Sequence, residues 1–551
     1  MTHASPRRTE QTEIERKYDV HETAVVPDLA DVRGGAASGP ADDALGHLVV
    51  DRVRHEAPVE LAATYWDTVE HTLLGARTTL RRREGGGDAG WHLKLPPSAG
   101  TTGRREVHWP LGRSDEPVPT ALRHLVEARL RGRPVHPVLR LETTRTVTRL
   151  LDGSGRELAE LADDVVRASN PDTGVLRTWR EWEVELAPGV GGAEGEQLLD
   201  AVAERLESAG ASVSSSKSKL ARGLGGGPAA GGVGERVGGG SVAGEGTPAP
   251  VPAPAGKSAA AFVTGTVARL RDDLLVVDGL VRDDEPDAVH RLRTTIRRLR
   301  AVLRVWHGVL DPALAETVAA AAARAGRSCG AARDVEVARG RVATRASSAP
   351  SGFVTGQVTG RLGASLAERL GERTGDVHRL LDSPAWFDLL DALDALVDAP
   401  ATGSHADDDA AALATRRLTA ERRRAAKAAR RALDVVARVR PSDAGLGVDL
   451  GDDDLATLRR TRKAARRLRH ALEADRARSG SGRGRARRAE AVQDALGEHR
   501  DALASVAVLR DVAALAHRAG EDTFGYGVLA TLEVSRAEHA LRDFRRAARR
   551  L

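Results

Sequence analysis

The chain has 551 residues, is 41% hydrophobic and 3% aromatic, and carries 83 Lys+Arg against 78 Asp+Glu, a formal charge of +5. That length exceeds what one core supports, so two domains are expected. No apolar run approaches the roughly 18 residues of a membrane span, the N-terminal stretch lacks the apolar core of a secretory signal, and the single cysteine, Cys329, excludes an intramolecular disulfide and argues against a cysteine-based zinc site, so a cytoplasmic protein is expected.

In chain order, the first half alternates short charged and apolar segments, TEIERKYDV, TTLRRRE, GWHLKLP, REVHWPL and WREWEVEL, between Gly, Pro and Asp clusters, the pattern of an antiparallel sheet. Period-two parity puts Glu13, Glu15 and Lys17 on one strand face, Arg81 and Arg83 together on another, and Glu181, Glu183 and Glu185 opposite Trp182 and Val184. One such segment alone reads as a solvated face. Several together, with both charge signs on separate strands, predict a closed barrel with a charged lumen. A polyphosphate needs Arg forks and Lys point charges, and the hard divalent cation that accompanies it needs carboxylate oxygens, so acidic and basic strands must share one site. Lysine is scarce in this chain: either a G- and C-rich genome has replaced it by arginine wherever either serves, or each retained lysine marks a position where a compact ammonium is wanted in place of a planar fork.

Residues 223–257 are dominated by Gly, Ala and Pro and read as a linker between domains at 1–222 and 258–551. Beyond it, long Ala-, Leu- and Arg-rich stretches read as helices. In VHRLRTTIRRLRAVLRVW, His290, Arg293, Arg297, Arg300 and Arg304 recur at helical spacing beside an apolar stripe of Val289, Leu292, Ile296, Leu299 and Leu303. LRRTRKAARRLRHALE repeats the design with Arg459, Arg462, Arg466 and Arg469, and each basic stripe is followed by Gly-x-x-Arg-Asp, ending at Asp334 and Asp501, which marks an internal duplication. Cations so closely spaced repel unless an anion is present. With few aromatics to stack bases, inorganic polyphosphate is favoured over nucleic acid as that anion.

EIERK at residues 13–17, followed in order by TYWDT, LRRRE, WHLKLP, WEVEL and SSSKSKL, resembles the CYTH family of triphosphate tunnel enzymes across about residues 10–222. The resemblance implies an eight-stranded antiparallel tunnel. In it, Glu13, Glu15, Glu183 and Glu185 would hold Mg²⁺ or Mn²⁺, with Asp163 as a further ligand and Asp164 as the alternative register. Lys17, Arg81 and Arg83 would act on the substrate as catalytic groups, and Lys94, Arg145, Lys219 and, as second candidate for the terminal lysine, Lys217 would bind it. The second half is similar to the CHAD family of helical domains across about residues 258–551, on VHRLRTTIRRLR, GAARD, LRRTRKAARRLRHALE and QDALGEHRDA. This implies polyphosphate binding by His290, Arg293, Arg297, Arg300, Arg462, Arg466, Arg469 and His499; Arg459 departs from the histidine usual at its position.

The expected fold is therefore a multidomain α+β chain: an antiparallel eight-stranded β-barrel tunnel followed by an all-α duplicated helical bundle. The expected function is a divalent-metal-dependent inorganic triphosphatase or polyphosphate-processing hydrolase with a polyphosphate-binding domain, without a membrane partner and associated with polyphosphate granules. A non-catalytic polyphosphate-binding protein and an adenylate cyclase of the CYTH type stand as alternatives.

Overall fold

Glu13 and Glu15 lie on one extended segment that changes partner between them. β1 (Thr9–Glu13) pairs antiparallel with β7 (Arg104–Pro110), and β2 (Glu15–Asp19) pairs with β10 (Leu176–Leu186). In the computed structural model, which describes residues 9–34, 48–96, 104–112, 118–216, 218–225, 257–438 and 450–551, the sheet runs in the order β1-β7-β6-β5-β4-β8-β9-β10-β2. The remaining members of that path are β4 (Val59–Asp67), β5 (Thr79–Glu84), β6 (Gly90–Leu95), β8 (His136–Leu151) and β9 (Glu157–Ser169). Because β1 and β2 are consecutive, the chain itself joins the two ends of the sheet through Ile14, whose carbonyl accepts from the Leu186 amide at 3.1 Å. With β1–β2 counted as one strand, eight strands ring the tunnel. Two short strands lie off the ring: β3 (Arg52–His55) pairs β8, and β11 (Ser212–Val213) pairs β2.

The strands are inverted relative to an ordinary small barrel, with their apolar faces outward under helices. Trp91, Leu93 and Val107 pack on Leu122, Leu125 and Val126 of α2 (Thr120–Leu130), which follows the short α1 (Thr72–Gly75). Trp182, Val184 and Leu161 pack on Leu198, Val202 and Leu206 of α3 (Gly192–Ser208), an apolar stripe at helical spacing. The core therefore sits outside the sheet, which leaves the lumen to the charged residues. α4 (Lys219–Gly223), whose first turn is capped by Ser218 Oγ accepting from the Ala221 amide at 3.1 Å, closes this unit.

The chain divides into two compact units, Met1–Thr247 and Pro248–Leu551. The second is helical: α5 (Ala259–Arg282), α6 (Ala288–Val305), α7 (Pro312–Ser348), α8 (Gly356–Leu381), α9 (Pro384–Asp398), α10 (Ala410–Arg438), α11 (Asp452–Ser479), α12 (Arg483–Arg518) and α13 (Phe524–Ala548). α5–α8 and α10–α13 repeat one plan, a helix, an arginine-rich helix, a helix of 37 or 36 residues and a closing helix, while α9 has no counterpart. The two arginine-rich helices, α6 and α11, pack on each other, as do α7 and α12. Leu292, Ile296 and Leu299 are fully buried, the apolar stripe that seats α6. Most of the 223–257 linker and Lys217 lie outside the described residues.

Candidate functional site: a charged tunnel and an arginine cluster

Register converts the strand parity into a lumen. Lys17 lies opposite Glu183, Glu15 opposite Glu185, Glu181 opposite Asp164 and Asp164 opposite Arg145. On the far wall Tyr65 lies opposite Arg81, Arg81 opposite His92 and Lys94 opposite Glu106. Every ring residue in these pairs points inward, so Glu13, Glu15, Lys17, Arg81, Arg83, Lys94, Arg145, Glu183, Glu185 and Lys219 all line one cavity of about 490 Å³.

Charge is distributed unevenly around it. Lys219 Nζ sits 3.0 Å from Asp164, 2.6 Å from Glu181 and 2.6 Å from Glu183. Arg145 forks onto Asp164 and reaches Glu183 at 3.0 Å, and Lys17 also pairs with Glu183. Burial opposes ionisation of Glu183, yet Lys17, Lys219 and Arg145 outweigh it and hold the carboxyl well below the usual range. Glu15 is similarly held at about 2, against burial, by Lys17 and Lys94. Glu185 is different: burial, then the neighbouring Glu13, push it up to about 7, with Lys94 opposing and Glu15 and Glu160 adding to the rise. Among the described residues Glu185 has no ion pair.

These two carboxylate groups differ in what they can hold. Asp164, Glu181 and Glu183 bring oxygens within 4.8 Å of one another, a spacing suited to a metal ion, but the Lys219 ammonium already occupies their midst. Around Glu185, by contrast, Glu13, Glu15 and Glu160 crowd a carboxyl that lacks a cation. Glu13 pairs with Lys94 at 2.6 Å and Glu15 with Lys17 at 3.1 Å, so within this set of hard oxygens Glu185 is the carboxyl left without an ion pair among the described residues.

In the helical unit the cations of α6 and α11 meet. Arg297 is pushed down to about 9 by burial and by Arg293, Arg466, Arg469 and Arg462, and Arg462 to about 10 by burial, Arg500 and Arg466. Arg466 is lowered by burial, Arg293, Arg300 and Arg500. Arg293 and Arg500 share Asp334 at 3.3 and 3.1 Å, whereas Arg297, Arg300, Arg462 and Arg466 have no carboxylate partner among the described residues. His290 stands beside Arg333 and Arg297, and burial with those charges lowers its pKa below the usual histidine value.

Residues 37–224 match the CYTH domain family and residues 266–510 the CHAD domain family. An uncharacterized protein of Mycobacterium tuberculosis, from strains CDC 1551 / Oshkosh and ATCC 25618 / H37Rv, is 34% identical over 560 residues, covering 99% of this chain and 98% of the relative. The chain belongs to the CYTH–CHAD family. Among solved structures, PptA from Streptomyces chartreusis is 22% identical over 52% of this chain and 97% of its own, with a TM-score of 0.42. The CHAD domain from the plant Ricinus communis is 23% identical over 55% of this chain and 94% of its own, with a TM-score of 0.40.

Three of the expected site residues, Asp163, His499 and Arg469, lie in other surroundings than the resemblance implies. Asp163 of the CYTH tunnel turns away from the lumen, where Arg180 forks onto it at 2.8 and 2.7 Å; the fully buried Asp164 faces Arg145 and Lys219 instead. Glu160, which lines the cavity, shares strand parity with Asp164. His499 of the CHAD domain is buried, with Nδ1 at 3.2 Å from the Ala537 carbonyl, and packs α12 on α13. Arg469 is neutralised by Glu473 and Glu490 at 2.7 and 3.2 Å. Sequence reasoning also left out His92, Glu106, Arg149 and Glu160, all in the tunnel wall. His92 and Glu106 lie within GWHLKLP and REVHWPL at the same parity as Lys94 and His108, a signal obscured by their single charges among apolar neighbours.

Proposed function

We propose that the CYTH tunnel hydrolyses inorganic tripolyphosphate, or the terminal units of longer polyphosphate, with a divalent metal ion, and that the CHAD domain holds polyphosphate through its arginine cluster. The observation that carries this reading is the division of the tunnel wall. Arg81, Arg83, Lys94 and Arg145 line it as cations for a chain of phosphates, while Glu185, crowded by Glu13, Glu15 and Glu160, has no ion pair among the described residues and leaves a carboxylate for a metal to offset.

In this reading Glu13, Glu15 and Glu185 would hold Mg²⁺ or Mn²⁺, which when bound supplies Lewis-acid polarisation of phosphate oxygens and activates water. The chain's own groups do the rest. Arg81, Arg83 and Arg145 bind and align the phosphates as forked donors, and Lys17, fixed between Glu15 at 3.1 Å and Glu183, offers an ammonium to charge that develops on the transferred group. The linked CHAD domain raises the local concentration of polyphosphate ends. Capture of anions alone would gain nothing from so many clustered carboxylates, which favours turnover over simple docking.

Phosphate release from tripolyphosphate by the full chain, with Mg²⁺, with Mn²⁺ and with chelator, alongside ATP and thiamine triphosphate, tests the reading. Metal-dependent release preferring tripolyphosphate is expected. No release from any of them, with polyphosphate binding retained, would reduce the protein to a docking module.

A further inference from the structure

The turn between β5 and β6 carries a carboxylate into the tunnel. Asp88 pairs with the Nη2 of Arg83, although the Asp88 side chain is 58% exposed and that of Arg83 only 6%. Arg83 has no other carboxylate partner among the described residues, and burial with the adjacent Arg81 and Arg145 makes it a cation in need of an anion.

The turn is built to present that group. Gly85 and Gly86 adopt φ of 81° and 73°, and a Cβ on Gly85 would lie 2.3 Å from the Glu60 carbonyl oxygen, so only glycine lets the hairpin fold this tightly against β4. The Asp88 backbone is tied down separately: His92 Nε2 lies 2.9 Å from the Asp88 carbonyl oxygen while its Nδ1 faces Glu106 at 2.6 Å. Rotation of the Asp88 side chain alone therefore frees Arg83, without moving the turn.

We propose that Asp88 is a specificity-determining residue of the tunnel: its carboxylate competes with phosphate oxygens for Arg83, so an anion gains that arginine only by displacing an internal one. The inference rests on the tunnel being the oligophosphate site proposed above. A ligand long enough to grip several other tunnel cations together can displace Asp88 at modest cost, because its remaining contacts are already made. A single phosphate has no such reserve, and Asp88 thereby selects against it.

The test is calorimetric titration of tripolyphosphate and of orthophosphate, in chelator, into the full chain carrying Arg297→Ala and Arg466→Ala to suppress CHAD binding. Asp88→Asn is expected to tighten tripolyphosphate by roughly two- to five-fold, the scale of an exposed ion pair, and orthophosphate by a larger factor, an equal gain for the two overturning the specificity role. Asp88→Glu, which keeps the charge, is expected to bind like the parent. In an Arg83→Gln background the Asp88→Asn gain should vanish. Equal affinities for the parent and the Asp88→Asn variant, or a gain that survives Arg83→Gln or appears with Asp88→Glu, would overturn the proposal. Absence of any tripolyphosphate binding by the parent would overturn the tunnel reading together with it, which separates the two failures.

Discussion

The Lys219 ammonium, delivered by α4 from the end of its unit, lies 2.6 Å from Glu183 at the centre of the tunnel, tying the last helix of the CYTH domain to the strand that carries its acidic face. Lys219 is buried, and Asp164, Glu181 and Glu183 all depend on it. Lys219→Ala leaves three buried carboxylates short of one cation and is expected to destabilise the CYTH domain by about 3 kcal/mol, on the scale of breaking a buried ion pair. Urea unfolding followed by tryptophan fluorescence measures this; an unchanged midpoint would deny the lysine its structural role.

Glu185 predicts the opposite sign. Its folded pKa of about 7 lies above the usual carboxylate value of 4.5, so its ionisation costs nothing below about pH 4.5 and its full cost is felt above about pH 7. Glu185→Gln is expected to raise the melting temperature of the chelator-treated protein at pH 8 but not at pH 4.5. The gain is on the order of 1–2 kcal/mol after allowance for partial exposure. The same variant is expected to lose the stabilisation that Mn²⁺ confers on the parent. A variant that melts with the parent at pH 8 would show that the acid cluster is already compensated.

The two sites are separable by mutation. Loss of an outer-shell partner of a metal ligand costs about 10- to 100-fold, so Glu15→Gln, which removes a proposed ligand itself, is expected to lower tripolyphosphate turnover by about 100-fold or more while long-chain polyphosphate binding persists. Arg297→Ala with Arg466→Ala is expected to do the reverse. Turnover intact in Glu15→Gln would remove the tunnel from the mechanism.

Polyphosphate binding by the CHAD domain should depend steeply on salt. If six arginines, Arg293, Arg297, Arg300, Arg462, Arg466 and Arg500, displace counterions from a linear polyanion, log affinity should fall against log salt with a slope of about −4, by analogy with single-stranded nucleic acid. Filter binding of long-chain polyphosphate between 50 and 300 mM salt, approximately the range over which such slopes are read, tests this. A slope near zero would mean the cluster does not meet the chain. Arg297→Met, by relieving repulsion within the cluster, is expected to raise the melting temperature without ligand and to lose the rise that long-chain polyphosphate gives the parent.

Parity and periodicity carried much of this molecule in the sequence. Strict alternation in EIERK and WREWEVEL places every second residue on one face whatever the partner strands, so the inward rows Glu13, Glu15, Lys17 and Glu181, Glu183, Glu185 could be read before any pairing was known. The arginine stripe and its repetition were legible for the same reason: a helix brings positions three and four apart to one side, as Arg293, Arg297 and Arg300 show.

What the sequence could not determine is which faces meet. Asp163 and Asp164 are neighbours in the chain and face opposite sides of the sheet, and only the pairing of Asp164 with Arg145 and Glu181 says which side is the lumen. His499 has the same surroundings in sequence as a surface ligand, but the packing of α13 over α12 buries it. The uncompensated charge on Glu185, the ammonium placed among Asp164, Glu181 and Glu183, and the carboxylate of Asp88 on Arg83 arise where strands distant in sequence close on one another. Electrostatic energy depends on distance and burial, which local pattern does not contain; strand parity aims a side chain, and tertiary structure alone decides what it faces.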